Sequence, residues 1–218
     1  MIIHDYPQGS EQWERIRKGK ATASELGRIL TPAKLQFASG AVTYAAEKVA
    51  EILGVETVPP PPTFWMERGT ELEPHARQEF CEITGSAVTQ VGFIMQDVRS
   101  RFGASVDGLV DHDAILEIKC PSAEKLILWH NEGVVPQEFM LQIQGGLYAT
   151  HRDRAAFVGW HPELEPLILW VDRDNKIIGK IEDALVEFNE LVDSMLAKVK
   201  SRTASRLMTQ YESEDVTL

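Results

Sequence analysis

Apolar positions along the 218-residue chain follow helical spacing in the first third, strand spacing in the middle and helical spacing again at the end. Ser10 can cap a short helix, with Glu11 in its first turn and Trp13 and Ile16 on one face, and Gly19 ends it. A second helical start is expected at Thr22 or Ser24, with Leu26, Ile29 and Leu30 in phase and Pro32 just beyond. Residues 41–53 predict a longer helix closed by Gly54, and Pro59–Pro62 a linker, since four prolines suit neither a helix interior nor a central strand. Residues 67–83 predict a helix ending at Gly85, with Pro74 accommodated by a restart. The period then changes. Short β-rich runs at 87–95, 101–110 and 114–120 predict strands, followed by helices at 122–131 and 137–149 and strands at 154–160 and 166–172. A closing helix is expected over 174–199, apolar at Ile178, Ile181, Leu185, Phe188, Val192 and Leu196. Residues 201–218 show little periodicity and are expected as a flexible tail. The expectation is one α/β (α+β) domain over residues 1–200: a helical N-terminal third and a central mixed sheet flanked by helices.

Composition narrows the class. A hydrophobic share of 44% with 25% charged residues is ordinary for a globular chain. The longest apolar runs, Ala155–Trp160 and Leu167–Val171, are far below the roughly 18 residues of a membrane span. The N-terminus lacks an apolar signal core, and Cys81 and Cys120 stand outside any CxxC pattern, so a reducing cytoplasm is expected. The balance of 33 acidic against 22 basic residues, a net of −11, lacks the basic footprint of a simple nucleic-acid binder. It leaves room for a protein whose positive groups gather in one cleft and whose acids hold metal ions. There is no GxxxxGK[ST], no GxGxxG and no HExxH, and Trp129, Trp160 and Trp170 are expected in the core or at an interface rather than stacked on bases.

Chemistry concentrates in Gly103–Leu109 and Ile115–Pro121. In a strand, Glu117 and Lys119 share a face while Leu116 and Ile118 turn the other way. A hairpin turning at Asp111-His112-Asp113 would bring Asp107 beside Glu117. Two carboxylates and an ammonium would then meet, a set suited to a hard cation and a phosphoryl group. Read locally, the same pattern also suits a solvated hairpin with an exposed Glu–Lys pair.

The Asp107/Glu117-x-Lys119 pattern resembles the PD-(D/E)xK nuclease superfamily, and the flanking segments resemble its lambda-exonuclease-like (YqaJ-type) viral recombinase family. Four blocks carry the resemblance in order: Trp13–Gly19 with Thr22–Glu25, Gly69–Glu73, Ser105–Leu109 with Leu116–Pro121, and Met140–Gln144. Val106 departs from the pattern, in which proline commonly precedes the aspartate; proline contributes no ligand there. The resemblance implies a restriction-endonuclease-like fold. Asp107 and Glu117 would be metal-binding acids, Lys119 the catalytic lysine, Ile118 a carbonyl ligand and Glu73 a further acid. It gives Gln142 a place at the nucleophilic water and Gln144 a structural one, and makes Arg17 and Ser24 a pocket for a DNA 5′-phosphate. Glu73 could equally be an exposed helix acid, and Arg17 and Ser24 an exposed arginine and a helix cap. The implied activity is Mg²⁺- or Mn²⁺-dependent 5′→3′ digestion of one strand of double-stranded DNA, with two ions per site. Implied partners are duplex ends, a single-strand annealing protein and two further copies in a homotrimer, without a membrane, in a bacterial cytoplasm and of phage or prophage origin. A structure-specific or restriction-like endonuclease and a non-catalytic recombination partner are the competing readings.

Overall fold

The computed structural model describes residues 1–55, 61 and 63–214, with 204–214 as backbone only. Of the proline linker expected at 59–62, all but Pro61 lies outside the described residues, as do 215–218 of the expected tail. The N-terminal elements are β1 (Ile2–His4), α1 (Glu11–Arg17), β2 (Ala21–Thr22), a 3₁₀ helix (Ala23–Arg28), α2 (Ala41–Ile52) and α3 (Phe64–Thr84). Strands β3 (Val88–Thr89), β4 (Phe93–Met95), β5 (Phe102–Gly103), β6 (Gly108–Val110) and β7 (Ala114–Lys119) follow. Then come α4 (Ala123–Glu132), α5 (Gln137–Thr150), β8 (Arg154–His161), β9 (Leu164–Asp172) and α6 (Asn175–Glu214).

The central sheet has the order β3-β6-β7-β8-β9 and is mixed: only β7 and β8 run parallel. Parallel neighbours need a long crossover, which α4 and α5 supply. Strand β8 is buried from Ala155 to Trp160, the continuous apolar run of a strand covered on both faces. On one face Ile115, Ala155 and Phe157 join Tyr44 of α2, Leu147 of α5 and Phe188 of α6. On the other, Leu116, Ile118 and Val158 pack with Ala76 and Phe80 of α3. Each fully buried side chain of this size contributes roughly 1.5–3 kcal/mol. The helix that brings Glu73 to the sheet is therefore anchored by the face that Glu117 and Lys119 do not use.

Several elements differ from the sequence expectation. The second helix is a short 3₁₀ turn, in which Gly27 sits and Leu30 turns away to bridge Phe37. α3 starts earlier, where Thr63 Oγ1 accepts the Met66 N–H, and passes through Pro74 without a restart. The run 87–103 divides between three sheets, because β4 pairs with β1 and β5 with β2. α6 continues through 201–214, where a tail was expected.

Candidate active site

The β6–β7 hairpin forms as its sequence suggests, with Gly108 opposite Leu116 and Val110 opposite Ala114. Its turn is held from three sides. Asp111 takes a left-handed φ of 43°, which a short polar side chain tolerates. The Asp111 carboxylate accepts the Ala87 N–H at 2.9 Å, and Arg152 Nη1 donates to the carbonyls of Val110 (2.8 Å) and Ala114 (2.6 Å). At the other end, the Asp107 N–H donates to the Leu116 carbonyl at 3.1 Å and Asp107 Oδ2 accepts the Ile118 N–H at 2.6 Å. Asp107 is thereby fixed beside Glu117. Gly108 gives this crossing room, since a Cβ there would lie 2.3 Å from Val88 Cγ1.

Glu117 and Lys119 do share a face. Lys119 Nζ lies 2.7 Å from Glu117 Oε1, and Glu117 is only 2% exposed. From α5, Gln142 Nε2 donates to the same Glu117 oxygen at 2.5 Å, while its Oε1 lies 3.4 Å from Lys119 Nζ. The ammonium also stands over the Phe139 ring, 5.2 Å from its centre. Gln144, 200° around the helix from Gln142, is buried and works elsewhere: it donates to the Asp172 carbonyl and accepts the Asp174 N–H, both at 2.9 Å.

Lys119 opens on a cavity of about 470 Å³, lined also by Glu73, Asp107 and Ile118 and by the rings of Trp65 and Phe139. Burial pushes the Asp107 carboxyl well above its usual range, and the neighbouring charges of Glu117 and Glu73 push it further. Glu73 is raised by burial, against the pull of Arg77. Burial also opposes the Lys119 charge, but Glu117 and Asp107 outweigh it and leave the pKa above the ordinary lysine value. Burial pushes the Cys120 thiol, which also lines the cavity, up to about 11, so it is no thiolate nucleophile.

The donor set suits a hard cation: carboxylate oxygens whose mutual repulsion a positive ion would relieve. Among the described residues no three His, Cys, Asp or Glu side chains stand together so that they could hold a metal ion by themselves. Mg²⁺ needs no such set, because it is bound through one or two carboxylates and keeps several waters.

The second predicted cluster is built on α1. Ser10 caps that helix, its Oγ accepting the Trp13 N–H at 3.3 Å. The Arg17 guanidinium lies 3.8 Å over the Trp13 ring, and the Trp13 indole N–H donates to Ser105 Oγ at 2.9 Å, two residues before Asp107. Burial lowers the Arg17 pKa, with Tyr44, Glu25, Glu51 and Glu14 acting in the opposite sense. Its Nε is buried without a hydrogen-bond partner, and among the described residues no carboxylate lies within ion-pair distance. Ser24 is exposed in the 3₁₀ helix, its Oγ 3.3 Å from Thr22 Oγ1, and makes no hydrogen bond with Arg17. Of the three tryptophans, Trp129 and Trp160 are buried, while Trp170 is 44% exposed between Phe80 and Arg154.

Sequence reasoning gave no site role to Trp13 and Ser105, although both stand in the matching blocks, and missed two arginines of α3. Arg77 donates to the Asp107 carbonyl at 3.1 Å and pairs with Glu73; Arg68 donates to the carbonyls of Cys120 (2.9 Å) and Pro121 (3.2 Å). Of the contacts of these arginines, only the i, i+4 spacing of Glu73 and Arg77 is visible in the sequence.

A mixed sheet with helices on both faces and a carboxylate–lysine hairpin that includes its central strand places the chain among the nuclease folds. Residues 12–153 match the YqaJ-like viral recombinase domain, and the chain belongs to that family. The matched stretch contains every predicted site residue from Arg17 to Gln142. An alkaline exonuclease (LHK-Exo) from Laribacter hongkongensis is 33% identical, with a TM-score of 0.81 over 91% of this chain and 100% of its own. The same exonuclease in complex with dAMP matches over the same shares at 32% identity, with a TM-score of 0.80. A phage-related exonuclease from Haemophilus somnus 129PT, 15% identical over 83% of this chain and 96% of its own, shares the fold with a TM-score of 0.64. No curated protein matches the chain significantly. Among the described residues no helix is long and apolar enough to cross a membrane.

Proposed function

We propose that this protein is an exonuclease that digests one strand of double-stranded DNA in the 5′→3′ direction, dependent on Mg²⁺ or Mn²⁺. The observation that carries this reading is the cavity lined by Asp107, Lys119 and, from α3, Glu73, with Glu117 and Gln142 bonded to one another and set behind Lys119. The likeness to an alkaline exonuclease over its whole length supports the reaction class.

Glu73, Asp107, Glu117 and the Ile118 carbonyl would hold the cations, two per site. When bound, they supply a water of lowered pKa and positive charge against the phosphoryl oxygens. The chain's own groups do the rest. Glu117 fixes the Lys119 ammonium, which can donate to a scissile phosphate oxygen or orient the attacking water. Gln142, tied to Glu117 through its N–H, leaves its Oε1 beside Lys119 to accept from that water. Trp65 and Phe139 give the cavity an aromatic wall. The unpaired, desolvated Arg17, linked through Trp13 and Ser105 to the strand of Asp107, suits a terminal 5′-phosphate, with Ser24 as a hydroxyl at the rim. A homotrimer around the duplex and a single-strand annealing protein as partner complete the proposal.

The test uses one linear duplex labelled at one 5′ end and one covalently closed circle, each with Mg²⁺ and with EDTA. The expected result is early release of labelled mononucleotide from the linear duplex with Mg²⁺ alone and an intact circle. Comparable cutting of the circle would make this an endonuclease; no cleavage with Mg²⁺ or Mn²⁺ would leave a non-catalytic recombination partner.

A further inference from the structure

Arg77 is a buried cation for which the chemistry above has no use. Its side chain is 10% exposed, deep in α3 between Ala76 and Phe80 of the core. Its donors go to three separate stretches of chain. Nε donates to the Asp107 carbonyl at 3.1 Å, and Nη2 pairs with the Glu73 carboxylate one turn earlier. Nη1 and Nη2 reach the Gln90 amide oxygen at 2.9 and 3.2 Å, with the amide turned so that its oxygen faces them. An ion pair serving helix stability alone would need only Glu73. The other two contacts tie that carboxylate to the backbone of Asp107, thirty residues beyond Arg77, and to the loop after β3.

We infer that Arg77 is the positioning residue of the cation site: one planar guanidinium holds the Glu73 carboxylate and the Asp107 backbone at the spacing from which both acids face the same cavity. The inference rests on the reading of that cavity as a cation-dependent centre. Geometry explains the choice of arginine. Acceptors from three directions match a fixed fork of donors, whereas a lysine ammonium is a point charge on a flexible stem. Lysine would keep the charge and lose the spacing.

The experiment is calorimetric titration of Mn²⁺ into the metal-free full-length chain, with thermal unfolding measured in parallel. Arg77→Lys is expected to weaken Mn²⁺ binding by roughly tenfold or more, the usual effect of losing a group that orients a ligand. Gln90 is exposed, so Gln90→Ala should fold with an unchanged melting temperature. It should weaken binding by about threefold, the equivalent of one ordinary hydrogen bond. If Arg77→Lys does not fold, Gln90→Ala decides. Wild-type affinity in a folded Arg77→Lys, or in Gln90→Ala where that variant decides, would overturn the inference while leaving the cation site standing. A wild-type chain that takes up no Mn²⁺ would remove the site itself, and the inference with it.

Discussion

At Asp107 burial and two neighbouring carboxylates oppose ionisation, yet a cation ligand must be ionised. The consequence for stability has a definite sign. The folded-state pKa lies well above the usual 3.8, so as pH rises through this interval the unfolded chain has released a proton that the folded chain still holds. Asp107 therefore removes stability progressively from about pH 4 up to its folded pKa. Asp107→Asn keeps an oxygen for the Ile118 N–H without the charge. In calorimetry of metal-free protein it should melt above wild type at neutral pH, by roughly 2–4 °C for each kcal/mol recovered, and the gap should close as pH falls towards 4. A gap independent of pH would mean that Asp107 is not held ionised against its surroundings. Arg17 carries a second prediction at this scale. With its Nε unpaired and its guanidinium desolvated, Arg17→Ala should slow digestion of a 5′-phosphorylated duplex by roughly tenfold, the worth of a charged hydrogen bond. A 5′-hydroxyl duplex should be affected much less. Equal slowing of both would make Arg17 a general backbone contact.

Among the elements, α5 is the piece on which both halves of the site depend. Gln142 reaches the Glu117 carboxylate from one side of it, while Gly145 lies against the 3₁₀ helix that carries Ser24. A Cβ at Gly145 would stand 2.4 Å from Leu26 Cδ1 and 3.1 Å from Ala23 Cβ, and Leu26 is fully buried. Gly145→Val should therefore destabilise the fold by about 1–3 kcal/mol, as overpacking does, seen as a lower midpoint in urea with an unchanged slope. A midpoint equal to wild type would show that the 3₁₀ helix can move aside. The long amphipathic helices and the β6–β7 hairpin were legible in the sequence because each carries its own period. So were Asp107, Glu117 and Lys119, because strand alternation and a ten-residue spacing suffice to bring them together. The short strands were not: β4 and β5 owe their pairing to Ile2–His4 and Ala21–Thr22, two- and three-residue segments too short to show a period. The start of α3 was hidden by Phe64, Trp65 and Met66, all exposed apolar residues that break the amphipathic pattern. The tie from Arg77 to Asp107 was hidden for another reason: it runs to a backbone carbonyl, which no side-chain motif reports.

For the whole molecule the central question is how a chain of net charge −11 would hold the polyanion that the proposed activity requires. A ring that gathers the basic groups about its axis and turns acidic surface outward would answer it, and would leave the channel as the productive route. Sedimentation velocity at moderate salt should then show one species near three times 24.5 kDa. A monomer that is nonetheless processive would leave the ring without support. On the proposed reading the cluster around β7 performs hydrolysis. Its most direct test is the single-turnover rate at which wild type and Asp107→Asn cleave a 5′-phosphorylated linear duplex in Mg²⁺, with duplex binding measured alongside. The predicted result is a loss of roughly a hundredfold or more in rate, with the variant folded and still bound to DNA. A variant that cleaves within about tenfold of wild type would place the chemistry elsewhere and contradict the account.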